Sequence, residues 1–158
     1  DVRKKDEALD GTIVLDLSQG NFAGLFCSST LGEFGAKVIR VEPPGGDVAR
    51  KFSPFGLKVR DTGFAYIAEA RNKYHVTLNL ETERGRKILS SLARKADFLV
   101  ETFPADHLDR LGVGYRQLSK ENPGLIYIAI NTIGLYGEEA AKGRKLEAAL
   151  RKNPAPRI

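Results

Sequence analysis

"DGTIVLDLSQGNFAGLFCSSTLGEFGAKVIRVEPPGGD", residues 10–47, decides the fold. The apolar run Ile13–Leu17 meets a turn containing Gly20 and Gly24, then a helix-like stretch, then a second apolar run, Lys37–Val41. Short apolar runs bounded by Gly and Ser read as strands of a parallel sheet, buried on both faces. Phe22, Leu25, Phe26 and Leu31 recur at helical spacing between the strands, and Gly35 ends the helix. The turn from Ser18 to Gly24 fits neither G-x-G-x-x-G nor the G-x-x-x-x-G-K-[ST] of a P-loop. Ligands of parallel sheets nevertheless sit beyond the carboxyl ends of the strands. There the backbone N–H groups of Asn21, Phe22 and Ala23 would open a helix and favour an anion. The plainer alternative is a tight turn with no ligand.

The same alternation continues outward. Pro43-Pro44-Gly45-Gly46 stops the second strand, and the chain to Thr62 reads as loop. Gly63–Ala70 is a short helix, and the β-branched alternation of "HVTLNL", His75–Leu80, is a third strand. Thr82–Ala93 is amphipathic, with Ile88, Leu89 and Leu92 on one face. Phe98–Val100 is strand four, Tyr115–Glu121 a helix, and Leu125–Ile130 strand five. Strands alternating with helices predict one α/β domain over residues 10–137, Rossmann-like, with a mostly parallel sheet and helices on both faces. Residues 1–9 form an extension. Residues 138–158 form a basic helical tail with Leu146, Ala149 and Leu150 on one side.

Hydrophobic residues make up 42% and charged residues 28% of the 158, as in an ordinary globular domain. Net charge is +5, but Lys142, Arg144, Lys145, Arg151, Lys152 and Arg157 face only Glu138, Glu139 and Glu147 in the tail. The basic character is therefore mostly a tail property, and nothing in the sequence beyond its charge points to nucleic acid. No apolar run approaches the roughly 18 residues of a membrane span. The charged N-terminus does not read as a signal peptide. The single cysteine, Cys27, forms no internal disulfide and fits a cytoplasmic setting.

Candidate chemistry is sparse. No G-x-S-x-G occurs, and two histidines and one cysteine spread over the chain make no zinc site. His75 falls in a strand and His107 in a loop, while Cys27 reads as packed in the first helix. Asp16 at the end of strand one is expected to cap the following turn, and Asp109 to pair with a cation. Arg71-Asn72-Lys73 and Asp109-Arg110 place cations near strand ends, where they would clamp phosphates or simply be solvated.

Four segments in order carry a resemblance: "DGTIVLDLS", "AGLFCSSTLGEFGAKVIRVEPPGGD", "RNKYHVTLNLETERGRKIL" and "ADFLVETFPADHLDRLGVGYRQLSKENPGLIYIAI". Together, over roughly residues 10–137, they resemble the class III CoA-transferases, the family of formyl-CoA transferase, carnitine CoA-transferase and α-methylacyl-CoA racemase. The resemblance implies that the first turn lies against coenzyme A. Asn21, Phe22 and Ala23 would line the CoA channel, with Lys73 and Leu78 near the nucleotide end. Thr102 and Phe103 would lie beside the pantetheine or adenine, and Arg110 would contact the phosphates.

The chain also departs from the family. Pro43 and Pro44 follow Glu42 where relatives often carry a basic residue, so that phosphate contact is absent here or is supplied by Arg40 or Arg50. "NTIGLYGEEAA" after strand five is a partial match only. The family's carboxylate nucleophile is an aspartate beyond strand five, and no aspartate follows Asp109. The resemblance thus assigns no catalytic residue and no metal here. It implies the CoA-binding portion of a longer enzyme (transferase or racemase), one half of a split enzyme, or a short non-catalytic acyl-CoA-binding module. The expected partners are CoA or acyl-CoA and either a second copy or a complementing chain, with neither nucleic acid nor membrane.

Overall fold

Five parallel strands form one sheet in the order β5-β2-β1-β6-β7: β1 Ile13–Leu17, β2 Lys37–Glu42, β5 Lys73–Thr77, β6 Phe98–Glu101 and β7 Ile126–Ala129. The computed structural model describes residues 7–131 and, beyond them, 134, 137, 138, 141, 142 and 145. Of the helix expected over the tail, Glu138, Ala141, Lys142 and Lys145 are described and helical; its other residues and the first six of the extension lie outside the described residues. A two-stranded antiparallel ribbon, β3 Lys58–Val59 with β4 Thr62–Gly63, stands apart from the sheet.

The sheet lies between two helical layers, as the alternation predicts. Side chains alternate along β1, so Val14 meets Val38, Val100 and the partly buried Cys27 and Leu31 of α1 (Phe22–Glu33). Leu15 and Leu17 meet the opposite layer, where Leu89 and Ala93 of α3 (Glu83–Ala93) pack with Leu108 and Leu118. Leu108 belongs to α4, His107–Arg110, and Leu118 to α5, Tyr115–Glu121. Fully burying each such Leu contributes about 1.5–3 kcal/mol.

α1 approaches the sheet on small residues: Gly24, Ser28, Ser29 and Gly32 are buried beside Leu25. A Cβ on Gly24 would collide with Ser18 and Thr102, so this close approach requires glycine. Phe22 and Phe26, at helical spacing in the sequence, instead stack on each other at the outer surface with centroids 6.5 Å apart. α3 starts at Thr82, whose Oγ1 accepts the Gly85 N–H at 3.1 Å.

The third predicted strand is shifted. It runs over Lys73–Thr77, in register with Val38–Glu42, and not over His75–Leu80. β5 is an edge strand whose Tyr74, His75, Val76 and Thr77 are exposed, so its alternation carries no buried face. Leu78 continues only one hydrogen bond, N–H to the Glu42 carbonyl at 3.0 Å, before Leu80 turns into the core.

Candidate functional site at the switch between β1 and β6

The chain leaves β1 toward β2 and β5, then returns across β1 to β6 and β7. Strand order therefore reverses between β1 and β6, where the loops leaving the two strands diverge and open a crevice. The two loops are tied together at that point. Thr102 Oγ1 accepts the Gln19 N–H at 3.0 Å and donates to the Gln19 carbonyl at 3.2 Å.

A buried polar network fixes the first loop from below. Asp16 accepts from Ser18 N–H, Ser28 Oγ and Arg40 Nη1, at 2.9, 2.6 and 2.8 Å. It caps the turn, as expected, and also carries the charge pairing of the interior. Arg40 bridges Asp16 to Asp47 and reaches Glu42 Oε1 at 3.4 Å. Asp47 in turn accepts the Gly20 N–H at 2.8 Å, in the left-handed turn at Gly20, and the Ala49 N–H at 3.0 Å. Glu42 is held by Tyr66 and Arg50, with His75 Nδ1 at 3.4 Å. Burial opposes its charge, but the hydrogen bonds from Tyr66 and Arg50 prevail and hold its carboxyl below the ordinary range. Burial likewise opposes the charge on Arg40, but Asp16 and Asp47 outweigh it and raise its pKa. Sequence reading missed this network because its members lie on separate segments, Asp16 and Arg40 on two strands and Asp47 in the loop beyond, and only the folded chain brings them together.

The predicted contact residues divide into two groups. Asn21, Phe22 and Ala23 follow β1, Leu78 follows β5, and Thr102 and Phe103 follow β6, all at the carboxyl rim of the sheet. Arg110 ends α4 on the same loop system, exposed and without an ion-pair partner among the described residues. Phe103 stacks on His107 with centroids 4.9 Å apart.

Lys73 stands apart from the rim. Its ammonium points inward, 1% exposed, to Ser28 Oγ at 2.7 Å, the Leu25 carbonyl at 2.9 Å and Asp16 at 3.3 Å. Burial lowers its pKa, and Asp16 opposes the shift. Three further expectations need correction. Asn21 Oδ1 accepts the Ala23 and Gly24 N–H groups at 2.8 and 3.3 Å, so the helix start caps itself and an anion there would have to displace the carboxamide. Arg40 is 1% exposed and committed to acids, so of Arg40 and Arg50 only Arg50, 41% exposed, faces outward. Asp109 forms no ion pair among the described residues; its carboxylate abuts Gly114, where a Cβ would overlap it. Arg71, of the Arg71-Asn72-Lys73 cluster, is engaged by Glu33 and the Ala68 carbonyl.

Residues 9–145 match the family model for CoA-transferase family III. The chain is 37% identical over 131 residues to the succinyl-CoA–L-malate CoA-transferase alpha subunit of Chloroflexus aurantiacus, covering 82% of this chain and 30% of that protein. Its identity to the acetyl-CoA:oxalate CoA-transferase of Acetobacter aceti is 39% over 129 residues, covering 81% and 32%. Among solved structures, a CAIB/BAIF family protein from Brucella suis superposes with a TM-score of 0.78 at 35% identity, over 86% of this chain and 36% of that one. The chain thus spans about a third of the length of the relatives it matches. With the fold, the ordered motifs and the family match in agreement, the chain belongs to CoA-transferase family III.

Proposed function

We propose that the chain is the CoA-binding portion of a class III CoA-transferase, working on CoA and acyl-CoA in the cytoplasm. The observation that carries this reading is the pair of loops tied through Thr102 at the strand-order switch in a family III chain. Asn21, Phe22, Ala23 and Leu78 would line the channel, and Thr102 and Phe103 would flank the pantetheine or adenine. Lys73 would support the first loop from beneath through Ser28 and Leu25. Arg110 and the outward guanidinium of Arg50 would meet the phosphates, for which a planar cation is well suited.

The reaction we assign to the complete assembly moves CoA from an acyl-CoA to a carboxylic acid. A carboxylate attacks the thioester carbonyl, the CoA thiolate leaves, and a mixed anhydride on an aspartate results. No aspartate follows Asp109. The nucleophile would then come from a segment or subunit outside these 158 residues. The relative named as an alpha subunit makes a complementing second chain the natural form of that arrangement, with a homo-oligomer as the alternative.

Calorimetric titration of the chain with CoA and with acetyl-CoA tests the reading. Saturable binding of both is expected. A folded chain that binds neither would overturn it. Incubation with labelled acyl-CoA and hydroxylamine should trap no hydroxamate from this chain alone; a hydroxamate would place the nucleophile within it.

A further inference from the structure

Four carboxylates are buried among the described residues: Asp16, Glu42, Asp47 and Glu101. The first three each meet a guanidinium. Glu101 meets no cation among the described residues. It is 7% exposed, one oxygen accepts the Phe103 N–H at 2.6 Å, and the other has no hydrogen-bond partner among the described residues. A buried carboxylate without a counter-charge is costly. Burial pushes its carboxyl up to about 7, with the Phe103 N–H opposing and Asp109 adding to the rise.

Glu101 lines a cleft of about 460 Å³ between the ends of β6 and β7 and the α4–α5 turn. Its other titratable walls are Asp106, His107 and Asp109 from α4 and its entry, Tyr115 from α5 and Tyr127 from β7. The Tyr115 and Tyr127 rings meet edge to face at 5.6 Å. Burial, then Glu101 and Asp109, raise the Tyr127 phenol, which keeps it neutral. No lysine or arginine lines the cleft among the described residues.

An unpaired buried carboxylate, two acids nearer the rim and two aromatic rings together suit a cation. A metal ion would need converging ligands, and no group of three His, Cys, Asp or Glu among the described residues is placed to hold one. Aromatic rings instead attract ammonium and guanidinium groups. We propose that this cleft binds an organic cation, an alkylammonium or guanidinium group, anchored on Glu101 and Asp109 against Tyr115 and Tyr127. The cation arrives on a small molecule or on a basic side chain of a protein segment, and the recognising chemistry is shared. The inference does not rest on the coenzyme A reading, since it uses neither the first loop nor Arg110.

The test is an NMR titration of the Glu101 carboxyl in the full chain, alone and with n-butylammonium, ethylguanidinium or the blocked peptide Gly-Arg-Gly. Neutral n-butanol is the control. Each cationic probe that binds should lower the Glu101 midpoint by about one unit or more, and n-butanol should not. Because the cation requires the ionised carboxylate, its affinity should rise about tenfold per pH unit from pH 5 to 7 and level off above. That slope should be absent in Glu101→Gln, which preserves the shape of the protonated acid. Tyr115→Leu, at an exposed position, should weaken the probes several-fold without unfolding the chain. Tighter binding of the peptide than of ethylguanidinium assigns the site to a protein side chain; equal binding assigns it to a small molecule. An unmoved Glu101 midpoint with every cationic probe, or a pH slope that persists in Glu101→Gln, overturns the proposal.

Discussion

Asp16 on β1 and Arg40 on β2 are direct cross-strand partners, and their side chains meet at 2.8 Å with both fully buried. The pair sits beneath the first loop and passes its hold to Asp47 and Gly20. A cation in a sheet interior is stable only while every acid around it stays in place, and the reverse also holds.

Arg40→Met should therefore destabilise the fold by about 3–5 kcal/mol, because among the described residues Asp47 loses the one cation it meets and Asp16 keeps only Lys73 at 3.3 Å. Urea unfolding followed by circular dichroism measures this. A loss under about 1 kcal/mol would show that the network contributes little.

Gly24→Ala tests the close approach of α1. The new methyl would overlap Ser18 and Thr102, so a cost of about 1–3 kcal/mol is expected despite the better helix propensity of alanine. CoA affinity should fall with it, since the same contact spaces the two loops. An alanine variant as stable as the parent would mean that the loops yield freely.

Arg110→Ala addresses the phosphate contact. Loss of a charged hydrogen bond should weaken CoA by about 1.5–3 kcal/mol, roughly ten- to a hundred-fold, with no change in melting temperature. Unchanged affinity removes Arg110 from the site.

Glu101 gives a pH signature in the unliganded chain. Its carboxyl titrates at about 7 folded, above the ordinary value of about 4.3, so the fold favours the protonated form. Native chain then holds a proton that unfolded chain has released, and stability falls as pH rises from about 4.5 to 7. Glu101→Gln should be nearly neutral at pH 4.5 and stabilising by on the order of 1–2 kcal/mol at pH 8. Thermal melts at the two pH values compare them; an equal effect at both would refute the raised value.

Self-association is expected at high concentration. Phe22 and Phe26 of α1 and Phe64 of α2 (Phe64–Ala70) are about half exposed, and Phe55 in the turn Pro54–Gly56 is 97% exposed. Sedimentation velocity should show mass rising with concentration, reduced by Phe22→Ser with Phe26→Ser. A single monomeric species across the range would contradict this.

The parallel sheet was legible because its strands announce themselves as short apolar runs: Ile13–Leu17 is almost wholly buried, and Leu125–Ile130 reads as a strand although it forms a half-exposed edge with Ile126 52% exposed. β5 was misplaced by two residues at its start and three at its end because an edge strand obeys the register of its single neighbour, which local alternation does not encode. Asn21 and Thr102 come just after β1 and β6, and Arg110 ends α4, so the order of strands and loops sets where they stand, whereas Leu78, read inside the third strand, falls just beyond its end. The inward turn of Lys73 and the burial of Arg40 depend on long-range pairing with Asp16, 57 and 24 residues away, and no window of sequence reveals it. Glu101 hid for the same reason: its isolation is a property of what surrounds it in space.

The bonds made by Asp47 also divide the chain into places that tolerate added length and places that do not. Its carboxylate must reach Gly20 and Arg40 at once, so one residue inserted between Glu42 and Asp47 would break both reaches together, while the local bond from Ala49 would move with it. The tip of the β3–β4 ribbon, at exposed Arg60 and Asp61, touches none of them. Variation in loop length among natural or designed variants should therefore gather at that ribbon, leaving the span from Glu42 to Asp47 of fixed length.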